Sequence, residues 1–345
     1  MLDIMYLTWL GWGCWVRVLL VSPGGPGRVG GVEYVVYSLA RALAGVGHRV
    51  VVLAGEPGVG GLRVLDLGGV EVHLWPVWSP GGAYHIPRRL GELRRYVARL
   101  AAETDVVHVH SVHAVFSVEA GVAASEAGAP VVLSPHYHGG GHTPLREALW
   151  TVWRRRVAGL AGAVGAVVAA SRPEAERWEE DFGVGAVVVP HGVGDDVFLY
   201  RWRGASSNYA IYAGRLEKYK RVDKAYEVAA ARGLRLVVVG DGPHLRALRR
   251  RLRGALFLPP QPRERYLDLL SGARYAINMS TREVYSIFVA EALAMGVPAL
   301  LSREVAEIYT PGASGEVNEV TKAEVRPWSQ VVPEVLAVYR GIEKP

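Results

Sequence analysis

Short apolar runs alternate with stretches of helical period along this chain, and they do so in two successive sets. In the first set, WVRVLLVS, HRVVVLAG, DVVHVHS, PVVLSPH, AVVAAS and GAVVVPHG have the length and the valine content of buried strands. Helical stretches such as GGVEYVVYSLARALAGVG and IPRRLGELRRYVARLAAE lie between them, and LRVLDL with VEVHLWPV reads as a hairpin or insert. A polar pause over residues 201–208 follows. The second set runs NYAIYAG, LRLVVVG, ALFL, RYAINMS and PALLS, again with helices between, and ends on the amphipathic PWSQVVPEVLAVYRG. Alternation of this kind builds parallel sheets with helices on both faces. The expected class is therefore α/β, with two doubly wound domains and a cleft between facing strand ends, where such sheets bind ligands. The expected divisions are an appendage over 1–14, a first domain over 15–195 and a linker over 196–207. A second domain over 208–327 and a final helix over 328–345 complete the chain.

A chain of 345 residues, half of them hydrophobic, can fill two cores. The single cysteine, Cys14, excludes an internal disulfide framework and a multi-cysteine metal site, and fits a reducing cytoplasm. Net charge is +6, which suits phosphates, nucleotides, anionic lipid or nucleic acid without choosing among them. Scarce Asn and Gln beside abundant Arg, Val and Ala is a thermophile's composition. The first 21 residues are apolar, yet Asp3, Arg17 and the lack of a basic leading region argue against a signal peptide.

The stretch STREVYSIFVAEALAMGVP, residues 280–298, carries the densest chemistry. RYAINMS before it is a strand pattern, and IFVAEALAMG is a helix pattern closed by Gly296. Glu283 then sits on the loop leaving the strand, and Glu291 about one turn into the helix. Between them Val284, Tyr285, Ser286 and Ile287 lead into a helix N-terminus whose N–H groups suit an anion. The plainer alternative is a surface glutamate followed by an ordinary helical one.

Other motifs have two readings each. SPGGPGRVGGVEY places Gly25, Gly27 and Gly30 in a G-x-G-x-x-G pattern with Glu56 after the next strand, the fingerprint of a nicotinamide dinucleotide site. Pro26 inside the turn argues against it, and Gly30 with Gly31 can instead bring backbone N–H groups close to a phosphate or sugar. YAGRLEKYKRVD offers Arg215 and Lys220 from a strand-to-helix loop, a fork and a point charge suited to a pyrophosphate. VVVGDGPHL, with Asp241 and Gly242, is a tight turn before another helix. His108, His110 and His113, then His136, His138 and His142, fall at strand ends with spacings that could suit zinc, but no carboxylate or cysteine completes either motif. Arg88, Arg89, Arg94, Arg95 and Arg99 on one helix, and Trp150, Trp153 and Arg154–Arg156 on another, suit an anionic membrane surface or form a solvated basic face. No aromatic platform or recognition motif points to nucleic acid.

Taken together, GGVEYVVYSLARALAGVGHRV, DVVHVHS, VVLSPH, VVPHGVGDDVF, YAGRLEKYKRVD, LRLVVVGDGP, LFLPPQP and EVYSIFVAEALAMGVPAL make nearly the whole chain resemble the retaining glycosyltransferase family 4, with its GT-B architecture. The resemblance implies transfer of a hexosyl group, with retention and without a metal or cofactor, from a UDP- or GDP-sugar to a sugar, polyol or lipid-linked acceptor. Arg215 and Lys220 would neutralise the diphosphate, Glu291 would hold the ribose, and Glu283 would touch the transferring sugar. Residues 284–287 would bind sugar and phosphate, with Asp241 and Gly242 also on the donor side. Pro260 and Gln261 would receive the base. His136 would line the reaction centre, with Gly30 and Gly31 near donor phosphate and acceptor. The final helix would cross back onto the first domain, and the enzyme would work in the cytoplasm or at the inner membrane face. The chain departs from the family pattern at Ser286 and Pro259, where glycine is usual, and at His191. Rival readings are an NAD(P)-dependent oxidoreductase using residues 25–30, a sugar-nucleotide epimerase, and a non-catalytic binder.

Overall fold

The computed structural model describes residues 15–28, 30–82, 84–141 and 144–342. Expectations for residues 1–14, including Cys14, and for His142 lie outside them. The chain divides into two compact units. One holds the residues up to Val189 together with those from Val332 on, and the other holds Pro190–Val331.

The N-terminal unit contains β1 (Arg17–Ser22), α1 (Gly31–Gly45), β2 (Arg49–Glu56), β3 (Arg63–Asp66), β4 (Glu71–Trp78) and β5 (Ile86–Pro87). It continues with α2 (Leu90–Ala102), β6 (Val106–His110), α3 (Val115–Glu126), β7 (Val131–Ser134), α4 (Pro144–Ala161), β8 (Ala166–Ala169), α5 (Arg172–Phe182) and β9 (Val187–Val188). The sheet order is β3-β4-β2-β1-β6-β7-β8-β9, with β5 on β4. Pairing is parallel except at β3–β4 and β4–β5. Every residue of β6 and β7 is buried, because helices cover both faces. That burial is why these strands read as unbroken apolar runs. The helix expected from residue 86 starts at Leu90 instead. Ile86 precedes a proline, which disfavours helical backbone there, and the two residues pair with β4.

The C-terminal unit contains β10 (Tyr209–Ala213), α6 (Val222–Ala230), β11 (Arg235–Val239), α7 (Leu245–Arg251), β12 (Leu256–Leu258) and α8 (Arg263–Ser271). It continues with β13 (Tyr275–Asn278), α9 (Ile287–Met295), β14 (Ala299–Leu301), α10 (Arg303–Tyr309) and β15 (Asn318–Val320). The order is β12-β11-β10-β13-β14-β15, parallel apart from β14–β15. Side chains alternate between two cores. Ile211, Val237 and Val239 meet Leu267, Val289 and Leu293 on one face. Ala210, Leu236 and Val238 meet Val222, Val228 and Leu252 on the other. Each fully buried Val or Leu contributes about 1.5–3 kcal/mol. The polar pause is packed onto this unit. Trp202 N donates to Met295 O at 3.0 Å, Trp202 Nε1 to Ala273 O at 2.9 Å, and Arg203 N to Ser271 O at 2.9 Å. Helix α11 (Trp328–Gly341) follows β15, and its residues from Val332 on count with the N-terminal unit. There Tyr339 is buried and its hydroxyl lies 2.8 Å from His108 Nδ1.

Candidate active site

In the C-terminal sheet, β10 lies between β11 and β13, so the loops leaving β10 and β13 diverge from adjacent strand ends. Doubly wound sheets bind ligands at such switch points. The β10 loop carries Arg215 and Lys220, and the β13 loop carries Glu283 to Ser286. Thr281 N donates to Tyr219 O at 3.0 Å, which ties the two loops together. Lys220 Nζ reaches Glu283 Oε1 at 2.6 Å, with both side chains mostly buried. Burial, the largest single influence, would lower the Lys220 pKa, but the Glu283 carboxylate with Tyr219 and Glu217 together outweigh it and the pKa is raised. Lys220 is therefore a fixed cation.

Asn278, the last residue of β13, donates from Nδ2 to Glu283 Oε1 at 3.2 Å and to Ser286 Oγ at 3.0 Å. Ser286 is the N-cap residue of α9, but its side chain does not cap the helix. Its carbonyl accepts from Tyr309 Oη at 2.6 Å, which anchors the helix start. Ile287 opens the helix, and Tyr285 packs against Tyr309 and His191.

Arg215 is half-exposed, and its Nε lies 3.1 Å from Glu217 Oε1. Asp241 and Gly242 adjoin the same loop: Leu216 N donates to Asp241 O at 2.8 Å, and a Cβ at Gly242 would sit 2.6 Å from Leu216 N. Gly240, at φ +143°, runs against the Gly214 carbonyl, an approach that only glycine permits. Pro260 and Gln261 follow the edge strand β12 and are exposed or half-exposed, with Gln261 Nε2 donating to Pro259 O at 2.7 Å.

Glu291 stands apart from the Lys220 cluster in its bonding. It is buried, Arg263 Nη1 meets its Oε1 at 2.5 Å, and Tyr266 Oη donates to its Oε2 at 2.6 Å. Burial raises its pKa, and Arg263 opposes that rise. Arg263 also grips Asp196 with Nε at 2.7 Å and Nη2 at 3.0 Å. Asn278, Arg263, Tyr266 and Asp196 were not singled out in the sequence. Only Asn278 carried a signal, as a polar residue closing an apolar strand.

The N-terminal unit has its own switch point, at β1 between β2 and β6. His136, just past β7, is buried and held at φ +48°, and His110 Nδ1 lies 3.1 Å from its Nε2. Ser111 beside it is at φ +73°. Such left-handed backbone at non-glycine residues costs about 1–3 kcal/mol each and gathers at functional sites. His108 is buried, bonded to Tyr339 and to Ser134 Oγ, and burial, with the His136 charge behind it, lowers its pKa to about 3. Among the described residues, no three His, Cys, Asp or Glu side chains assemble as a metal site. Gly30 and Gly31 open α1, yet a Cβ at Gly30 would run into the Glu33 carboxylate, and Gly25 N donates to Glu56 Oε2 at 3.2 Å. Two carboxylates against this turn oppose the diphosphate of a nicotinamide cofactor. No helix among the described residues is long and apolar enough to cross a membrane.

Two doubly wound domains, with a cation and a carboxylate paired where strand order reverses in the second, are the GT-B architecture. The sequence profile of Glycosyltransferase Family 4 matches residues 29–197, and that of the Glycosyl transferases group 1 matches residues 203–324. The chain belongs to this glycosyltransferase family. It is 26% identical over 329 residues to a GDP-mannose-dependent alpha-mannosyltransferase of Mycobacterium tuberculosis, covering 91% of this chain and 86% of that one. Its fold is that of the sucrose-phosphate synthase from Thermosynechococcus elongatus, with TM-score 0.67 at 15% identity over 95% of this chain and 92% of the other. Anabaena HepE, solved with UDP and glucose, matches with TM-score 0.62 at 17% identity over 95% and 92%.

Proposed function

We propose that this glycosyltransferase takes a hexosyl group from a nucleotide-diphosphate sugar held by the C-terminal unit and transfers it with retention, using fixed cations in place of a metal. The observation that carries the reading is the Lys220–Glu283 pair beside the uncapped start of α9. A departing nucleoside diphosphate gains negative charge. Lys220, Arg215 and the α9 N–H groups meet that charge without reorganising, and each preorganised donor contributes about 3–4 kcal/mol. Lys220 has three N–H donors, so it can keep Glu283 and still reach a phosphate oxygen. Both neighbours of Glu283 occupy Oε1, which leaves Oε2 for a sugar hydroxyl. Glu291, oriented by Arg263 and Tyr266, is the proposed ribose ligand, with Pro260 and Gln261 at the base. Asp241 and Gly242 support the Arg215 loop. On the N-terminal unit, His136 steadied by His110 is the proposed contribution toward the acceptor.

The mycobacterial relative makes GDP-mannose the first donor to test. Purified protein is incubated with sugar and polyol acceptors and with GDP-mannose, UDP-glucose, ADP-glucose or NAD, and release of nucleoside diphosphate is followed with and without EDTA. The expected result is release from one sugar nucleotide at a rate that EDTA leaves unchanged, with an axial anomeric linkage in the product by NMR. Release from none of them, or a rate abolished by EDTA and restored by a divalent cation, sinks the proposal.

A further inference from the structure

A cavity of about 700 Å³ lies on the N-terminal unit between α2, the end of β4 and the segment before β3. Trp75 and Tyr96 line it, with ring centroids 5.5 Å apart, and Leu62, 43% exposed, stands at its edge. The floor is fixed, since Tyr96 Oη bonds His73 Nδ1 at 2.8 Å and Trp75 Nε1 donates to Arg88 O at 2.9 Å.

Arg89, Arg95 and Arg99 also line the cavity. The facing carboxylate is Glu92, 3.6 Å from Arg89. Arg99 lies over the Tyr96 ring at 5.4 Å, and Arg95 makes no ion pair among the described residues. Three guanidinium groups against one carboxylate leave the cavity cationic, while its floor is aromatic and aliphatic.

We infer that this cavity binds an anionic amphiphile: a phosphate monoester whose organic part is a short alkyl or aryl group. Guanidinium forks match the phosphate oxygens in pairs, which an ammonium would not. The apolar part leaves water against Trp75, Tyr96 and Leu62. None of these residues belongs to the proposed donor site, so the two readings stand or fall separately.

Titration calorimetry on the full chain tests it with hexyl phosphate, inorganic phosphate and hexyl glucoside. Hexyl phosphate is expected to bind at least about tenfold more tightly than either of the others, since it alone satisfies both halves of the cavity. Arg95→Glu and Leu62→Asp, both at solvent-exposed positions, should each weaken it about tenfold while Tm and donor turnover stay unchanged. Flotation with phosphatidic acid vesicles assigns the source. Arg95-dependent flotation identifies a lipid phosphate, and tight hexyl phosphate binding without flotation identifies a soluble ester. Equal affinity for hexyl phosphate and inorganic phosphate, or an Arg95→Glu protein that binds hexyl phosphate as well as before, overturns the inference.

Discussion

The two units carry the same kind of switch point and fill it with opposite chemistry. In the C-terminal sheet the loops leaving β10 and β13 bring together charged groups: Lys220 on Glu283. A short way off, Arg263 bridges Asp196 and Glu291. In the N-terminal sheet β6 and the loop after β7 hold imidazoles, with His108 kept neutral by burial within β6 and His110, at its end, beside His136. Topology decides where loops diverge and leave room for a ligand. The residues on those loops decide what enters. On the proposed function the preorganised charge of the C-terminal loops meets the changing charge of a diphosphate, whereas the N-terminal turn has Glu33 and Glu56 against its glycines.

Removing the charge should break this contrast with the largest effect. Lys220→Ala is expected to lower kcat about 10²–10³-fold, and Arg215→Ala to do so on a half-exposed residue whose loss leaves Tm unchanged. Steady-state rates beside melting curves check both, and wild-type kcat in both variants would remove the charged region from the chemistry.

Buried His108 sharpens the contrast through pH. The folded pKa of His108 is lowered from 6.5 to about 3, so the folded state binds fewer protons than the unfolded chain in that window. Its contribution is fully present above pH 6.5 and declines as pH falls toward about 3, by about 1.4 kcal/mol per pH unit. Denaturant unfolding at pH 7 and pH 5 measures this slope, and His108→Gln should flatten it.

The smallest effect tests the glycine turn. Gly31 opens α1, and a Cβ there meets nothing within 4 Å. Gly31→Ala should raise stability by about 0.5–1 kcal/mol. If a ligand approaches this backbone, turnover falls although the fold has gained, and unchanged turnover makes the turn purely structural.

Much of this was legible in local pattern. Unbroken runs such as DVVHVHS declared strands covered on both faces, and Gly296 closed its helix where expected, at φ +85°. Placing Glu283 on a loop and Glu291 one turn into a helix needed only the change of period between RYAINMS and IFVAEALAMG. Less legible was the segment after Ile86, where a proline and a left-handed Arg89 overrode a helical pattern. The polar pause looked like a free linker, but its tryptophan and backbone are bonded into the C-terminal unit.

By itself the sequence determined the alternation of strands and helices, the two-domain class and the residue types at the strand ends. These follow from burial periodicity, which is a property of neighbouring positions. Only the tertiary structure decided which of those residues meet. Lys220 and Glu283 are 63 positions apart, Arg263 and Glu291 28, and His108 and Tyr339 231. Such pairs are set by which strands lie side by side and by which helices and loops then pack on them, and neither leaves a period in the chain for a reader to find.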